Sequence, residues 1–205
     1  RSPSRGLGDV YKRQVLGCGE EVSYVEPELQ PYFQEFLTQA NSFGYNLKTS
    51  NLVVEKGVLP NNKAGRCKRE KTRYVDGVFE QKTVIINPNF WDNATEAARE
   101  FVMFHELGHC LLSLGHDMGV RPLIYVQHEG ETKQVSIAAS LMSSATNMYL
   151  DDEIYEQIRP YYLERMFIGK SNLLEDRISS KVKSQKVQTV SKENNFHFEC
   201  NHSEH

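Results

Sequence analysis

The sequence predicts an α+β fold: a small mixed sheet, a long central helix and a C-terminal helix. Two stretches, Ala94–Leu114 and Asp151–Phe167, carry apolar residues at helical spacing. Two β-branched runs, Asn51–Leu59 and Thr83–Ile86, precede the first of them. A chain of 205 residues, 39% hydrophobic and 25% charged, has the size and composition of one domain with a real core.

The first residues stand apart. Ser4–Gln14, SRGLGDVYKRQ, resembles the translation of a sequencing-library adapter, so residues 1–14 are set aside, a genuine polar N-terminal tail being the alternative. Without them 20 basic and 26 acidic residues remain, and the net charge moves from -3 to -6. Val15-Leu16-Gly17-Cys18 resembles the end of a bacterial lipoprotein signal, in which the Cys is lipidated. On that reading residues 15–26 are a tether and the domain lies outside the cytoplasm: periplasm, outer membrane or cell surface. The alternative is a Cys in an ordinary loop.

The folded domain is expected over residues 27–168. A helix is predicted from Pro27 to about Asn46, with Tyr32, Phe33, Phe36, Leu37, Ala40 and Phe43 at helical spacing and Gly44 as its stop. Asn51–Leu59 reads as a strand, Pro60–Lys71 as a polar loop, and Thr83–Ile86 as a short strand ended by Asn87-Pro88. Asn93 or Thr95 caps the long helix, and Glu96 completes a capping box with Asn93. Asp117–Gln134 reads as irregular, with a strand at Leu123–Gln127. Asp151 and Asp152 suit the positive end of the last helix. Its expected buried face is Ile154, Ile158, Tyr161, Tyr162, Met166 and Phe167, and Pro160 is expected to kink it. Residues 169–205 read as a polar tail.

Several classes are excluded. No apolar run reaches the length of a membrane-spanning helix, about 18 residues or more. The acidic balance gives no footprint for nucleic acid. Four cysteines, at 18, 67, 110 and 200, fit neither a disulfide scaffold nor a zinc knuckle. A monomer is expected, with any membrane attachment made only through Cys18.

The chemistry lies in Phe104-His105-Glu106-Leu107-Gly108-His109-Cys110. Residues four apart share a helix face one turn apart, so His105 and His109 can grip one ion. Glu106 lies beside that face. It can activate a water on the ion without being a ligand. This is the His-Glu-x-x-His pattern of zinc peptidases. Gly108 weakens a helix interior by about 1 kcal/mol relative to Ala, which predicts close packing against it.

A catalytic zinc needs a third protein ligand and an open position. His116 is the candidate. In an unbroken helix it would sit about 10 Å further along the axis than His109, too far to share an ion. The helix must therefore end and the chain fold back, with Gly115 expected to supply the break. The alternative role of His116 is a cation at the helix C-terminus, and Asp117 is the nearest competing ligand.

On these residues the chain resembles the metzincin clan of zincins, whose motif is His-Glu-x-x-His-x-x-Gly-x-x-His. Here Leu112 stands at the usual Gly position, and the third His comes one residue late. The stretch FHELGHCLLSLGHD is closer to a bacterial group of lipoprotein metallopeptidases with this longer spacing. Ser140-Leu141-Met142-Ser143 resembles the metzincin Met turn, an ordinary core Met being the alternative. The resemblance runs from about Gly65 to Phe167. It implies a zincin-like fold, Zn2+ held by His105, His109 and His116, and hydrolysis of peptide bonds with Glu106 as base. It also implies that the strand before the motif helix, Thr83–Asn87, is the edge that pairs with an extended substrate. Tyr149 is a weak candidate for a residue near the metal.

Cys110 follows a ligand and can pair with Cys67, with buried free thiols as the alternative. His197, Cys200, His202 and His205 read as a solvated tail. Two other functions stay open: a non-catalytic lipoprotein that binds a partner, and a zinc hydrolase of non-peptide amides.

Overall fold

The computed structural model describes residues 23–74, 77–144 and 151–169. They form an α+β unit with a four-stranded mixed sheet, a two-stranded hairpin and four helices. The sheet comprises β1 (Tyr24–Val25), β2 (Leu52–Lys56), β3 (Gly65–Tyr74) and β4 (Gly77–Ile86), in the order β1-β2-β4-β3. The first three in that order run parallel, and β3 is antiparallel to β4. Leu52, Val54, Cys67, Val84 and Ile86 share one face and are buried. Val53, Glu55, Arg66 and Lys68 point to the other face, which is half-buried or exposed. Alternation of this kind gives a sheet packed on one side only.

Helices cover the buried face. After a 3-10 turn at Pro27–Leu29, α1 (Gln30–Ser42) buries Phe33, Phe36 and Ala40. Gly44 takes the left-handed conformation beyond it, as a helix stop requires. Next come α2 (Pro88–Trp91) and α3 (Glu96–Leu112). The hairpin β5 (Leu123–His128) and β6 (Glu131–Ser136) turns on Glu129-Gly130, both at positive φ. The last helix, α4 (Asp152–Ile168), buries every residue of its predicted face and also Tyr155 and Leu163. Phe36 meets Phe104 edge-on, with ring centroids 5.1 Å apart. Burying such a side chain contributes about 1.5–3 kcal/mol. A charged network ties the three long helices together: the Arg159 guanidinium donates to Glu100 at 2.6 Å and to Glu35 at 2.6 Å, and the Tyr155 hydroxyl donates to Glu100 at 2.8 Å.

Several expectations are corrected. Most of the expected loop Pro60–Lys71 is strand β3, because its polar residues pair with β4 along ten registered positions. For the same reason Thr83–Asn87 is not a sheet edge. Lys82–Ile86 is bonded to β2 on one side and β3 on the other, so the edge beside the motif helix is β3. Thr95 is the cap of α3, its Oγ1 accepting from Ala98 N–H at 3.2 Å, and the Asn93–Glu96 box does not form. Tyr24 and Val25, assigned to the tether, pair with Val53 and Val54 and belong to the sheet. Pro160 lies inside α4, which is helical on both sides of it. The carbonyl that loses its donor there belongs to Glu156, on the exposed side. Residues 1–14, Cys18, Tyr149, Cys200 and the C-terminal histidines lie outside the described residues.

Candidate metal centre

Helix α3 is built to bury its chemistry. Thr95 caps its first turn, and Asp152 accepts from Ala97 N–H at 2.8 Å, pinning that turn to α4. Every residue from Phe101 to Cys110 is buried, including His105, Glu106 and His109. A helix apolar all round sits in a core, and three polar side chains there need partners.

The two histidines find backbone partners at Nδ1. His105 Nδ1 lies 2.7 Å from the Leu141 carbonyl, and His109 Nδ1 lies 2.6 Å from the Leu114 carbonyl. A carbonyl only accepts, so each Nδ1 carries a proton, and in the neutral ring each Nε2 then presents a lone pair. Those lone pairs converge: His105 Nε2 and His109 Nε2 are 3.0 Å apart, and His116 Nε2 is 3.2 Å from His109 Nε2. Bonds of about 2.0–2.1 Å to a tetrahedral ion would set nitrogens about 3.3–3.4 Å apart, so the spacing fits one shared ion. Lone pairs facing each other at this distance repel, and a cation between them removes the repulsion. His105, His109 and His116 thus form a cluster able to hold a metal ion.

His116 arrives as the geometry requires, but by a different break. Helix α3 ends at Leu112, and Ser113 takes φ 56° and ψ 31°, the left-handed region. Gly115 does not adopt positive φ. A side chain at such a position costs about 1–2 kcal/mol, a strain that functional sites tend to hold. The competing ligand, Asp117, turns away. Its carboxylate accepts from Gly119 N–H at 2.8 Å and from Arg165 at 3.1 Å. Burial alone would raise this carboxyl, but the Gly119, Ser140 and Arg165 contacts outweigh it and hold it below its ordinary range.

The segment Ser140–Ser143 lies beside the cluster. Ser143 N–H donates to the Ser140 carbonyl at 3.1 Å, closing the turn. Leu141 supplies the carbonyl for His105, and the Met142 carbonyl accepts from Asp117 N–H at 2.9 Å. One turn therefore steadies His105 and the segment that carries His116. Gly108 explains itself here: a Cβ on it would lie 2.7 Å from Met142 Sδ and 2.8 Å from Met166 Cε.

Glu106 points toward the sheet. A Cβ on Gly65 would lie 2.7 Å from Glu106 Cγ and 2.9 Å from its Oε1. Gly65 opens strand β3, so the absent side chain leaves the space the carboxylate fills. Gly65→Ala is expected to push Glu106 aside and destabilise the fold by about 1–3 kcal/mol. Metal content should persist, because Glu106 is not among the three converging histidines. Metal analysis and a thermal melt check both parts.

A disulfide joins Cys67 of β3 to Cys110 of α3, settling that alternative. Beside it a cleft of about 410 Å³ opens between Arg66–Arg69 of β3 and His109, Ser113 and Leu114 at the end of α3. A second group, His128 with Asp151 and Glu153, is less buried. Asp151 caps α4 there and Glu153 accepts from His128, so the group latches β5 to α4. Sequence reasoning missed Gly65's steric role and the carbonyls of Leu141 and Leu114. Backbone acceptors leave no signature in residue type.

Comparison with protein-family models, curated proteins and solved structures finds no match to this chain.

Proposed function

We propose that the protein is a zincin-like, zinc-dependent peptidase. The observation that carries this is the convergence of three imidazole Nε2 atoms, two of them locked in the metal-binding tautomer by backbone carbonyls. Three neutral imidazoles suit zinc, and three protein ligands leave a position open for chemistry. The chemistry supplied by a zinc ion in this site is Lewis acidity, which polarises a carbonyl and eases deprotonation of water.

The chain's own groups do the rest. Glu106 takes the proton from the attacking water and delivers it to the leaving amine. A structural zinc site has no use for that carboxylate, which favours catalysis over partner binding. Strand β3 pairs with β4 on one side only among the described residues, so its other edge can hold an extended peptide by strand addition beside His109. The Cys67–Cys110 bridge supports an oxidising, extracytoplasmic setting.

The test is metal stoichiometry with activity. The purified protein should hold about one zinc per chain, cleave unfolded protein substrates, lose activity to a chelator and regain it with zinc. His116→Ala should weaken zinc binding beyond the 10–100-fold typical of losing an outer-shell partner. Cleavage that survives chelation, or a protein that takes up no zinc, rejects the reading. Cleavage of amides but not of peptides would favour a non-peptide hydrolase.

A further inference from the structure

The chain as a whole is acidic, with a net charge of -3, yet strand β3 is not. Gly65–Tyr74 carries Arg66, Lys68, Arg69, Lys71 and Arg73 against the single Glu70. Three of these cations, Arg66, Lys68 and Arg69, line the cleft beside His109, and among the described residues no carboxylate lines it. Two of the three have partners at its margin: Lys68 meets Glu70 at 2.5 Å and Arg69 meets Glu80 at 3.5 Å. These pairs are at least a quarter exposed, so they contribute little and can open to an incoming anion. Arg66 is exposed and makes no ion pair among the described residues.

Resting on the peptidase reading above, we propose that this cleft selects extended peptides bearing acidic side chains at alternate positions, held by Arg66 and Lys68 on one face of the β3 edge. The alternation follows from strand geometry. Arg66 and Lys68 share a face, opposite Ile85 and Thr83 of β4, whereas Arg69 shares the face of Cys67. A peptide adding to the β3 edge presents its residues to the same two faces, with facing side chains about 4.5–5.5 Å apart at Cβ. Two acidic residues separated by one position therefore meet Arg66 and Lys68 together. A nucleic acid carries negative charge too, but its sugar-phosphate backbone cannot pair with a strand edge, and the acidic chain repels a long polyanion.

Binding is measured with the zinc-loaded Glu106→Gln variant, so that cleavage does not obscure it. The probes are fluorescent ten-residue peptides identical except for Glu-x-Glu, Gln-x-Gln or Lys-x-Lys at their centre, and a single-stranded DNA oligonucleotide of similar length. The Glu peptide should bind about tenfold more tightly than the Gln peptide at low salt, the scale two exposed ion pairs supply, and the gap should close as salt rises. Arg66→Gln with Lys68→Gln should abolish the preference, and Arg66→Glu with Lys68→Glu should transfer it to the Lys peptide, zinc content staying constant in both. Equal affinities, a preference for Gln or Lys in the parent protein, or tighter binding of DNA than of the Glu peptide overturns the proposal. The wild type is then given a mixed peptide library. Selective binding without cleavage removes the peptidase reading and keeps the acidic-peptide site. Cleavage without acidic selectivity does the reverse.

Discussion

Glu106→Gln is expected to keep its zinc and lose peptidase activity by about 10²–10⁴-fold, the range a positioned general base contributes. The substitution is nearly isosteric, so the fit against Gly65 survives. The three histidines that would hold the metal are untouched, and the carbonyls that orient two of them belong to Leu141 and Leu114. What changes is basicity: an amide cannot take a proton from water or return one to a leaving amine. The loss should therefore fall on kcat, while zinc content and peptide affinity remain near wild type. A Gln variant that cleaves as fast as the parent removes Glu106 from the mechanism. A variant that has also lost zinc shows that the carboxylate supports the metal site instead.

The parts of this site legible in the sequence are the local ones. His105 and His109 fall four apart on a helix whose apolar spacing runs unbroken from Phe101. Local periodicity fixes that face without knowledge of the rest of the chain. His116 was reachable by exclusion, because a straight helix would carry it too far. The place of the turn was not, since Gly115 is the residue that usually takes a left-handed conformation and Ser113 takes it instead. Ser113 is exposed, and what closes the turn is its own N–H and that of Leu114 donating to the Gly108 carbonyl, a contact no residue type announces.

The sheet was read least well, for a related reason. Strand β3 spells GRCKREKTRY, and its Lys, Arg and Glu residues have little preference for strands. Its pairing with β4 supplies what its composition lacks. Only Gly65 and Cys67 face the core near its start, too short an apolar pattern to mark a strand. The second hairpin hid in the same way: ETKQVS is polar, and its signal was the Glu129-Gly130 turn between β5 and β6. The long helices offered no such difficulty. Asp151 caps α4 through Ile154 N–H, and aromatic residues along that helix repeat at the period of the face they bury.

Replacing both Cys67 and Cys110 by Ala is expected to destabilise the protein by about 4 kcal/mol, from the loop-closure entropy of a bridge spanning 43 residues. For a domain of this size that lowers Tm by about 8–16 °C, readable in a thermal melt. Both sulfurs are in the core, with Cys110 fully buried, so Ala is preferable to a Ser that would bury a hydroxyl. The bridge is also the covalent link between the β3 edge and the helix that carries His105 and His109. The histidine cluster does not depend on it, because His105 and His109 sit on α3 and are oriented by carbonyls beyond that helix. Zinc stoichiometry should therefore hold below the lowered Tm. On the proposed peptidase reading KM for peptides should rise, since the strand edge against which a substrate would pair is free to shift. If zinc is lost together with the bridge, the disulfide is part of the metal site's support and the separation of roles argued here is wrong. If neither Tm nor KM moves, β3 is held to α3 by packing alone.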